Sequence, residues 1–447
     1  MYIKLIQPRM VKRPMDTDLK TRMSPPLGLL TVMSVLRDKI HVRIENENIR
    51  PIELFDGPDI VGISVTVDTL PRAIEIAAHF RKRGIPVVAG GIHITTAPDS
   101  IPPDAFDSLC IGPAEKTWPR IAADYEAGRL QPVYRCEGVF SGEDIVSPAY
   151  DAIEKQDYLY CNIVHTSRGC PFRCDFCYNS CGNHAYVKRP IDDVLRDIHT
   201  VGRKHIMFID DNFAGNPAWT RKLLHAITPL KIRWNAAVSL NAALDEDLLD
   251  LMKRSGCEGL FIGFESVNEA SLRDVHKGQN DLKRAEKAVN NIHTRGMMVN
   301  ASFVFGLDGD TPDTFRRTLD WIVRQRIETV TSHIMTPYPG TVLYDRMKAE
   351  GRILTDDLSL YNTANVVFRP KLMTAEELRD GYLWMYRKIY SFRNILRRMP
   401  EKPDQRAAYL MFNLLYRKFG RISDWLCHRI GFGRIGWLGE KLSRYLQ

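Results

Sequence analysis

Three cysteines, Cys170, Cys174 and Cys177, stand in the stretch RGCPFRCDFCYN as C-x3-C-x2-C. Three thiols in one short loop are metal chemistry rather than packing, and they are one ligand short of a closed structural zinc site. Iron–sulfur clusters are held by cysteine thiolates, four in the usual electron-transfer case. Three local ligands therefore predict a [4Fe–4S] cluster with one iron left open. Two readings compete: a three-cysteine zinc site, and Cys181 as a fourth ligand that would fill the open position.

The residue before the third cysteine is aromatic, Phe176. With it the motif resembles the signature of the radical S-adenosylmethionine (SAM) superfamily. The resemblance implies that SAM chelates the open iron through its amino and carboxylate groups. It also implies that an electron from an external donor of the flavodoxin or ferredoxin type passes through the cluster and cleaves SAM to a 5′-deoxyadenosyl radical. Phe176 would line the adenine pocket, and Tyr178 joins it as a cofactor-binding candidate.

Such residues need a scaffold. From about Tyr158 to Pro370, CNIVHTSRG, HIMFIDD, IRWNAAV, GLFIGFE, MVNASFVFG and TSHIMTP each read as a strand followed by a helical stretch. Six such units over about 200 residues predict a partial (β/α)6 barrel, whose active groups lie at the C-terminal strand ends. Asp210, Asp211 and Asn212 end the second strand, Ser239 follows the third and Glu265 ends the fourth. Asp-Asp-Asn is equally a helix cap, whereas a glutamate after an apolar strand needs a partner. The resemblance assigns Asp210 and Asp211 to the methionyl amino group of SAM and Glu265 with Ser266 to its nucleoside end; Ser239 is a further cofactor-binding candidate. The catalytic candidates are His165, which with His184 flanks the cysteine loop, and Tyr338 in TPYPGT. Polar packing explains the histidines as well, and a rigid turn of Pro337, Pro339 and Gly340 explains the tyrosine's loop.

The first 150 residues alternate strand and helix signals: YIKLIQP, PLGLLTVMSVLRDK, HVRIENEN, DIVGISVTV, AIEIAAHFRKRG, PVVAGGIH and SLCIGPAE. That alternation predicts a doubly wound parallel sheet, with ligands beyond the carboxyl ends of its strands. Ser64, Thr66, Gly90, Gly91, His93, Gly112 and Glu115 fall at or just beyond those ends. SVTVDT, GGIHIT and IGPAE together resemble the cobalamin-binding domain that precedes many radical SAM cores, and PPLGLL (Pro26, Leu27, Gly28) matches the same subset. The D-x-H-x-x-G loop of the best-known form is absent after the first strand. If cobalamin binds, no imidazole from that motif coordinates it; loss of the cofactor is the other reading.

The chain has 447 residues, nine cysteines and a net charge of +8. An odd, uneven cysteine set is no disulfide framework and suits a reducing cytoplasm. No signal-peptide pattern opens it, and no apolar run approaches the ~18 residues of a spanning helix. From Lys371 onward there are 16 Lys/Arg against seven Asp/Glu, so the tail carries the charge. Ala408, Tyr409, Phe412, Leu415, Tyr416, Phe419, Ile422 and Leu426 recur at helical spacing, with Arg417, Lys418 and Arg421 read as the opposite, basic face. A solvated face is one reading; peripheral contact with anionic lipid at the inner membrane face is the other. Nucleic acid is not expected.

The expected domains are 1–150, Rossmann-like and cobalamin-binding; 151–370, the radical SAM barrel; and 371–447, basic and helical. This layout resembles cobalamin-dependent radical SAM enzymes, near the hopanoid methylases and the anaerobic bacteriochlorophyll cyclases. It implies C-methylation of an unactivated carbon on a small, apolar or lipid-like substrate. The alternative keeps the radical core for a rearrangement, oxidation, cyclisation or C–C coupling.

Overall fold

A computed structural model describes residues 1–13, 15–181, 186–274 and 281–445. The first sheet contains β1 (Tyr2–Gln7), β2 (His41–Asn46), β3 (Ile60–Ser64), β4 (Val87–Gly90), β5 (Ser108–Ile111) and β6 (Val133–Arg135), ordered β2-β1-β3-β4-β5-β6. All of its pairings are parallel. Its central strands are almost wholly apolar because both faces are covered. Leu70–Arg81 packs on one face through Ala73, Ile76 and Phe80. Leu27–Leu36 and Ala114–Glu126 pack on the other through Leu29, Val32, Trp118 and Ile121. The chain leaves strand geometry one residue past β4, because Gly91 takes φ +102° and starts a short helix, Ile92–Thr96. PVVAGGIH is therefore strand only in its first half.

The second sheet begins with β7 (Ile163–Val164). A small antiparallel hairpin, β8 (Ser167–Arg168) with β9 (Val187–Lys188), brackets the cysteine loop. β10 (His205–Phe208), β11 (Arg233–Val238), β12 (Cys257–Glu265), β13 (Met298–Phe305) and β14 (Thr329–Ile334) complete a parallel sheet ordered β14-β13-β12-β11-β10-β7. Burial alternates along β10, β11 and β14. The buried set (Ile206, Trp234, Val330) packs in the main core under the outer helices. The half-buried set (Met207, Asn235, Thr331, His333) faces the lumen.

β7 and β14 do not pair, so the barrel is open on one side. Helix Ala375–Ile389, started by a capping box between Thr374 and Glu377, covers the β14 edge. The Tyr382 and Tyr390 hydroxyls donate to the Ser332 and Val330 carbonyls at 3.3 and 2.6 Å, which satisfies an edge that would otherwise stay unpaired. The loop after β1 closes the β7 side, where the Leu159 and Tyr160 amides donate to Arg22 and Met23 carbonyls. The C-terminal helices seal that loop: Leu19, Cys427 and Phe432 form one small core, and His428 Nε2 meets Asp18 at 2.8 Å.

Candidate functional site

The cysteine loop leaves the barrel after β8. Asp210, just past β10, is buried, and its Oδ1 accepts from the Thr166 amide and hydroxyl, both at 2.9 Å, from the Ser167 hydroxyl at 2.6 Å and from the Ser167 amide. One carboxylate oxygen thus fixes the two residues that aim the chain at Gly169 and Cys170. Burial, against these bonds, raises the Asp210 carboxyl to about 6. Its Oδ2 and the Asn212 Oδ1 are buried with no hydrogen-bond partner, and Asn212 Nδ2 lies 3.8 Å from Cys170 Sγ. These orphaned acceptors beside the thiols form a place for a ligand's ammonium group.

Burial pushes the Cys177 thiol up to about 12, with Cys174, Cys170 and Asp211 adding to the effect. The three thiols therefore face one another. Cys181 is buried, and burial with the nearby Asp345 raises its thiol.

Tyr338 joins the two sheets. The charges that act on its phenol are Asp68 and Arg13, from the first sheet's loops, and Cys177; burial raises it to about 12. Tyr178 is shifted upward by burial and by Asp211, Cys177 and Tyr338. The carboxyl edge of the first sheet therefore opens onto the cysteine loop. At that edge a Cβ on Gly90 or Gly112 would find its nearest neighbour at 3.5 or 3.7 Å, and one on Gly28 nothing within 4 Å. Only Gly28 is open; Gly90 and Gly112 are in ordinary contact, and a Cβ on Gly91 would strike the Val65 backbone at 2.7 Å. Thr66 donates to Asp68 at 2.7 Å, and Ser64 ends β3 half-buried. Pro26 precedes helix Leu27–Leu36 and lines a separate cleft of about 200 Å³ with Ile44 and Tyr158.

Three candidates lie where the sequence places them but in surroundings it did not show. His93 is buried and bonds Ser100 at 3.3 Å; burial lowers it to about 4. With His79 on the Leu54 carbonyl and His41 against Tyr2, each imidazole of the first domain is turned away from the open edge. Glu115 pairs with Arg168 at 2.6 Å, since a buried carboxylate needs a countercharge. Burial, then Arg168 and Arg189, hold the His165 imidazole well below its ordinary range, and its Nε2 is buried with no hydrogen-bond partner. His184 lies outside the described residues.

The remaining candidates hold strand-end positions. Glu265 ends β12, buried, at φ +66° beside a bulge, a strained geometry for a side-chain-bearing residue. Ser266 accepts from the Asn268 amide at 3.0 Å. Ser239 precedes helix Leu240–Leu244 at the end of β11, and Phe176 packs on the barrel core.

Residues 164–322 match the radical SAM superfamily. They are a radical SAM domain. A domain of unknown function matches 341–408. The chain is 28% identical over 411 residues to bacteriochlorophyllide d C-12(1)-methyltransferase of Chlorobaculum tepidum, covering 89% of each. It is 29% identical over 356 residues to hopanoid C-2 methylase of Rhodopseudomonas palustris, 74% of this chain and 66% of that one. In fold it is similar to the radical SAM methyltransferase TsrM from Kitasatospora setae, solved with cobalamin and a [4Fe–4S] cluster, at TM-score 0.63, 19% identity and 78% of each chain. It is also similar to the cobalamin-dependent radical enzyme OxsB, solved with aqua-cobalamin and SAM, at TM-score 0.67, 16% identity, 95% of this chain and 72% of that one.

The radical SAM domain calls for the cluster and SAM, and the residues present fit both: three mutually facing thiols, with orphaned acceptors beside them. Sequence reasoning did not single out Arg13, Asp68 or Lys20, and it read Arg417 as solvated. Arg417 instead points inward among Tyr386, Tyr390 and Tyr416.

Proposed function

We propose that this protein is a cobalamin-dependent radical SAM C-methyltransferase acting on an unactivated carbon of an apolar substrate. The position of Tyr338, in reach of both Asp68 and Cys177, carries the reading: it brings the open edge of the first sheet against the cluster loop, in a chain whose relatives include two named C-methylating enzymes. When bound, the cluster with SAM supplies hydrogen-atom abstraction and cobalamin supplies the transferable methyl group.

The chain's own residues hold and shield these groups. Cys170, Cys174 and Cys177 bind three irons, and Asp210 fixes the loop that carries them. Asp210 Oδ2, Asn212 and Asp211 receive the amino group of SAM. Glu265, Ser266 and Ser239 take its ribose side, and Phe176 with Tyr178 its adenine. Ser64, Thr66, Gly90, Gly91, Gly112 and the Pro26–Gly28 turn border the corrin, which receives no imidazole from this domain. Tyr338 separates corrin and cluster compartments and touches substrate. The packed outer helices keep water from the lumen, where radical chemistry requires a dry site.

The test is anaerobic reconstitution with iron, sulfide, hydroxocobalamin and CD3-labelled SAM, offering apolar acceptors. Label in a product together with deoxyadenosine supports the reading. Deoxyadenosine without transferred label, at full corrin loading, would move the assignment to rearrangement, oxidation or coupling.

A second observation concerns the C-terminal helices. No described helix is long and apolar enough to cross a membrane. Yet Phe392, Leu396, Leu415, Ile422, Trp425, Ile430 and Trp437 are exposed, in a segment rich in arginine and lysine. We propose that this surface rests on anionic lipid, with Trp and Ile entering the headgroup boundary.

A further inference from the structure

On the inner face of the second sheet, Asn235, Ala237, Phe261, Gly263, Asn300 and Thr331 keep accessible surface. Ala236, Ile262, Ala301 and Val330 beside them are buried in the main core. Ala237 and Gly263 carry little or no side chain, so the lumen stays accessible between the strands. Its upper layer is set by register. His333, half-buried on β14, pairs with Val304 on β13, and the adjoining Phe303 pairs with Glu265 at the end of β12. Parallel strands lie about 4.8 Å apart, so His333 stands roughly 10 Å round the wall from the Glu265 strand end.

A run of hydrogen bonds fixes the His333 ring. Asp16 accepts from Arg13 Nε at 2.8 Å, and Arg13 Nη1 donates to Thr363 Oγ1 at 3.0 Å. Thr363 Oγ1 in turn lies 3.1 Å from His333 Nδ1. A guanidinium only donates, so the Thr363 hydroxyl accepts from Arg13 and keeps its own proton for Nδ1. Nδ1 therefore accepts, and the ring proton sits on Nε2. Among the described residues that Nε2 has no hydrogen-bond partner. Burial, with Arg13, Lys20 and Arg417, lowers the imidazole to about 3, so it stays a neutral donor. Thr363 is strained in this position. Its φ of +65° is left-handed, an outlier for a β-branched residue, and the Ile334 amide holds it there by donating to its carbonyl at 2.8 Å. Glycine or asparagine takes that conformation more readily, but neither carries a hydroxyl for Nδ1. Strain of this kind clusters at functional sites.

We infer that His333 is a specificity residue: its Nε2–H donates to an oxygen acceptor, a carbonyl or a similar neutral group, on an otherwise apolar substrate lying in the lumen. Apolar walls hold such a molecule without choosing its orientation. One directed donor chooses it, and so decides which carbon is turned toward the Glu265 side. The donor also rejects a molecule of the same shape without the oxygen, because it would then be desolvated and unpaired. Thr363 and Arg13 act through His333 as positioning residues. Arg13 and Asp16 belong to the loop after β1, so the seating of that loop sets the tautomer of a ring in the barrel. That the ligand is the methyl acceptor rests on the proposed function; that the lumen selects an oxygen acceptor at His333 does not.

The test uses the full chain and a pair of fluorescent probes: the aromatic ketone Prodan, and the same molecule with a propyl group in place of its propionyl group. Prodan emission moves to the red when its carbonyl accepts a hydrogen bond. His333→Phe is expected to weaken Prodan about three- to tenfold, the net effect of one hydrogen bond, and to move its bound emission to the blue. The propyl probe should bind the two proteins alike. His333→Gln returns an N–H near the same place and should recover part of both effects. Nitrogen NMR of the histidine rings, with His333 assigned by its absence in His333→Gln, should show Nε2–H in the wild type and a mixture of tautomers in Thr363→Val. Equal weakening of both probes by His333→Phe, a bound Prodan emission independent of His333, or an Nδ1–H ring in the wild type would overturn the proposal. Probe binding and ring tautomer involve no methyl transfer, so the two readings fail separately.

Discussion

Arg168, on the β8–β9 hairpin, and Glu115, on helix Ala114–Glu126, form an ion pair at 2.6 Å, the carboxylate almost fully enclosed and the guanidinium about one-third exposed. Arg168 lies two residues before Cys170, so this pair ties the first domain to the root of the cluster loop. Glu115→Gln leaves a guanidinium without its countercharge and is expected to cost about 1–3 kcal/mol of unfolding free energy. Arg168→Gln should cost a similar amount. The double variant should fall short of the sum, since the residues act as one pair. Denaturant unfolding of the four proteins measures this, and strictly additive losses would show the pair to be incidental.

Asp210 and the cysteines differ in what their loss should do. Alanine at Cys170, Cys174 or Cys177 removes a ligand and should abolish the charge-transfer absorbance of the reconstituted protein. Cys181→Ala should keep it, because Cys170, Cys174 and Cys177 complete the C-x3-C-x2-C motif without it. Asp210→Asn retains the shape but weakens charge-assisted bonds to Thr166 and Ser167, worth about 1.5–3 kcal/mol. Iron should still load, with faster loss to a chelator. A chelation rate equal to the wild type would remove Asp210 from its positioning role.

The cluster loop was legible because its chemistry is local: three thiols and an aromatic within eight residues. The six barrel strands were legible because parallel strands carry continuous or alternating apolar runs, as LFIGF and WNAAV do. β6 was missed, being three residues long with a single buried position. The setting of Arg417 against the tyrosine rings was invisible for another reason. Met411–Lys418 is wound as a π-helix, so α-helical periodicity placed Arg417 on the wrong face. His93 and Glu115 lie at strand ends as expected, but burial supplied each with a protein partner.

Lys20 gives global stability a pH dependence. Burial, and then Arg13, lowers its ammonium to about 8. The folded chain therefore gives up this proton well below the ~10.4 of an unperturbed lysine, so the unfolding free energy should rise as the pH climbs from about 8 toward 10. Lys20→Met should flatten that rise in denaturant unfolding at a series of pH values, and a variant that keeps the full wild-type slope would show that another group is responsible.

The exposed C-terminal surface makes the last prediction. Ile422 and Trp425 lie on helix Gly420–Ile430, 58% and 54% exposed, and Arg429 stacks on the Trp425 ring at 4.8 Å. An indole with a cation on its face suits a lipid headgroup layer, where apolar bodies enter and charges stay with phosphates. Full-length protein should sediment with phosphatidylglycerol vesicles and much less with phosphatidylcholine, and salt should weaken the association. Ile422→Ser with Trp425→Ser removes about 1.5–3 kcal/mol of apolar burial per side chain, so partitioning should drop at least about tenfold. Both residues are exposed on a helix of the C-terminal segment, so cluster absorbance should be retained. Unchanged sedimentation of the double variant would mean that this face meets something other than lipid.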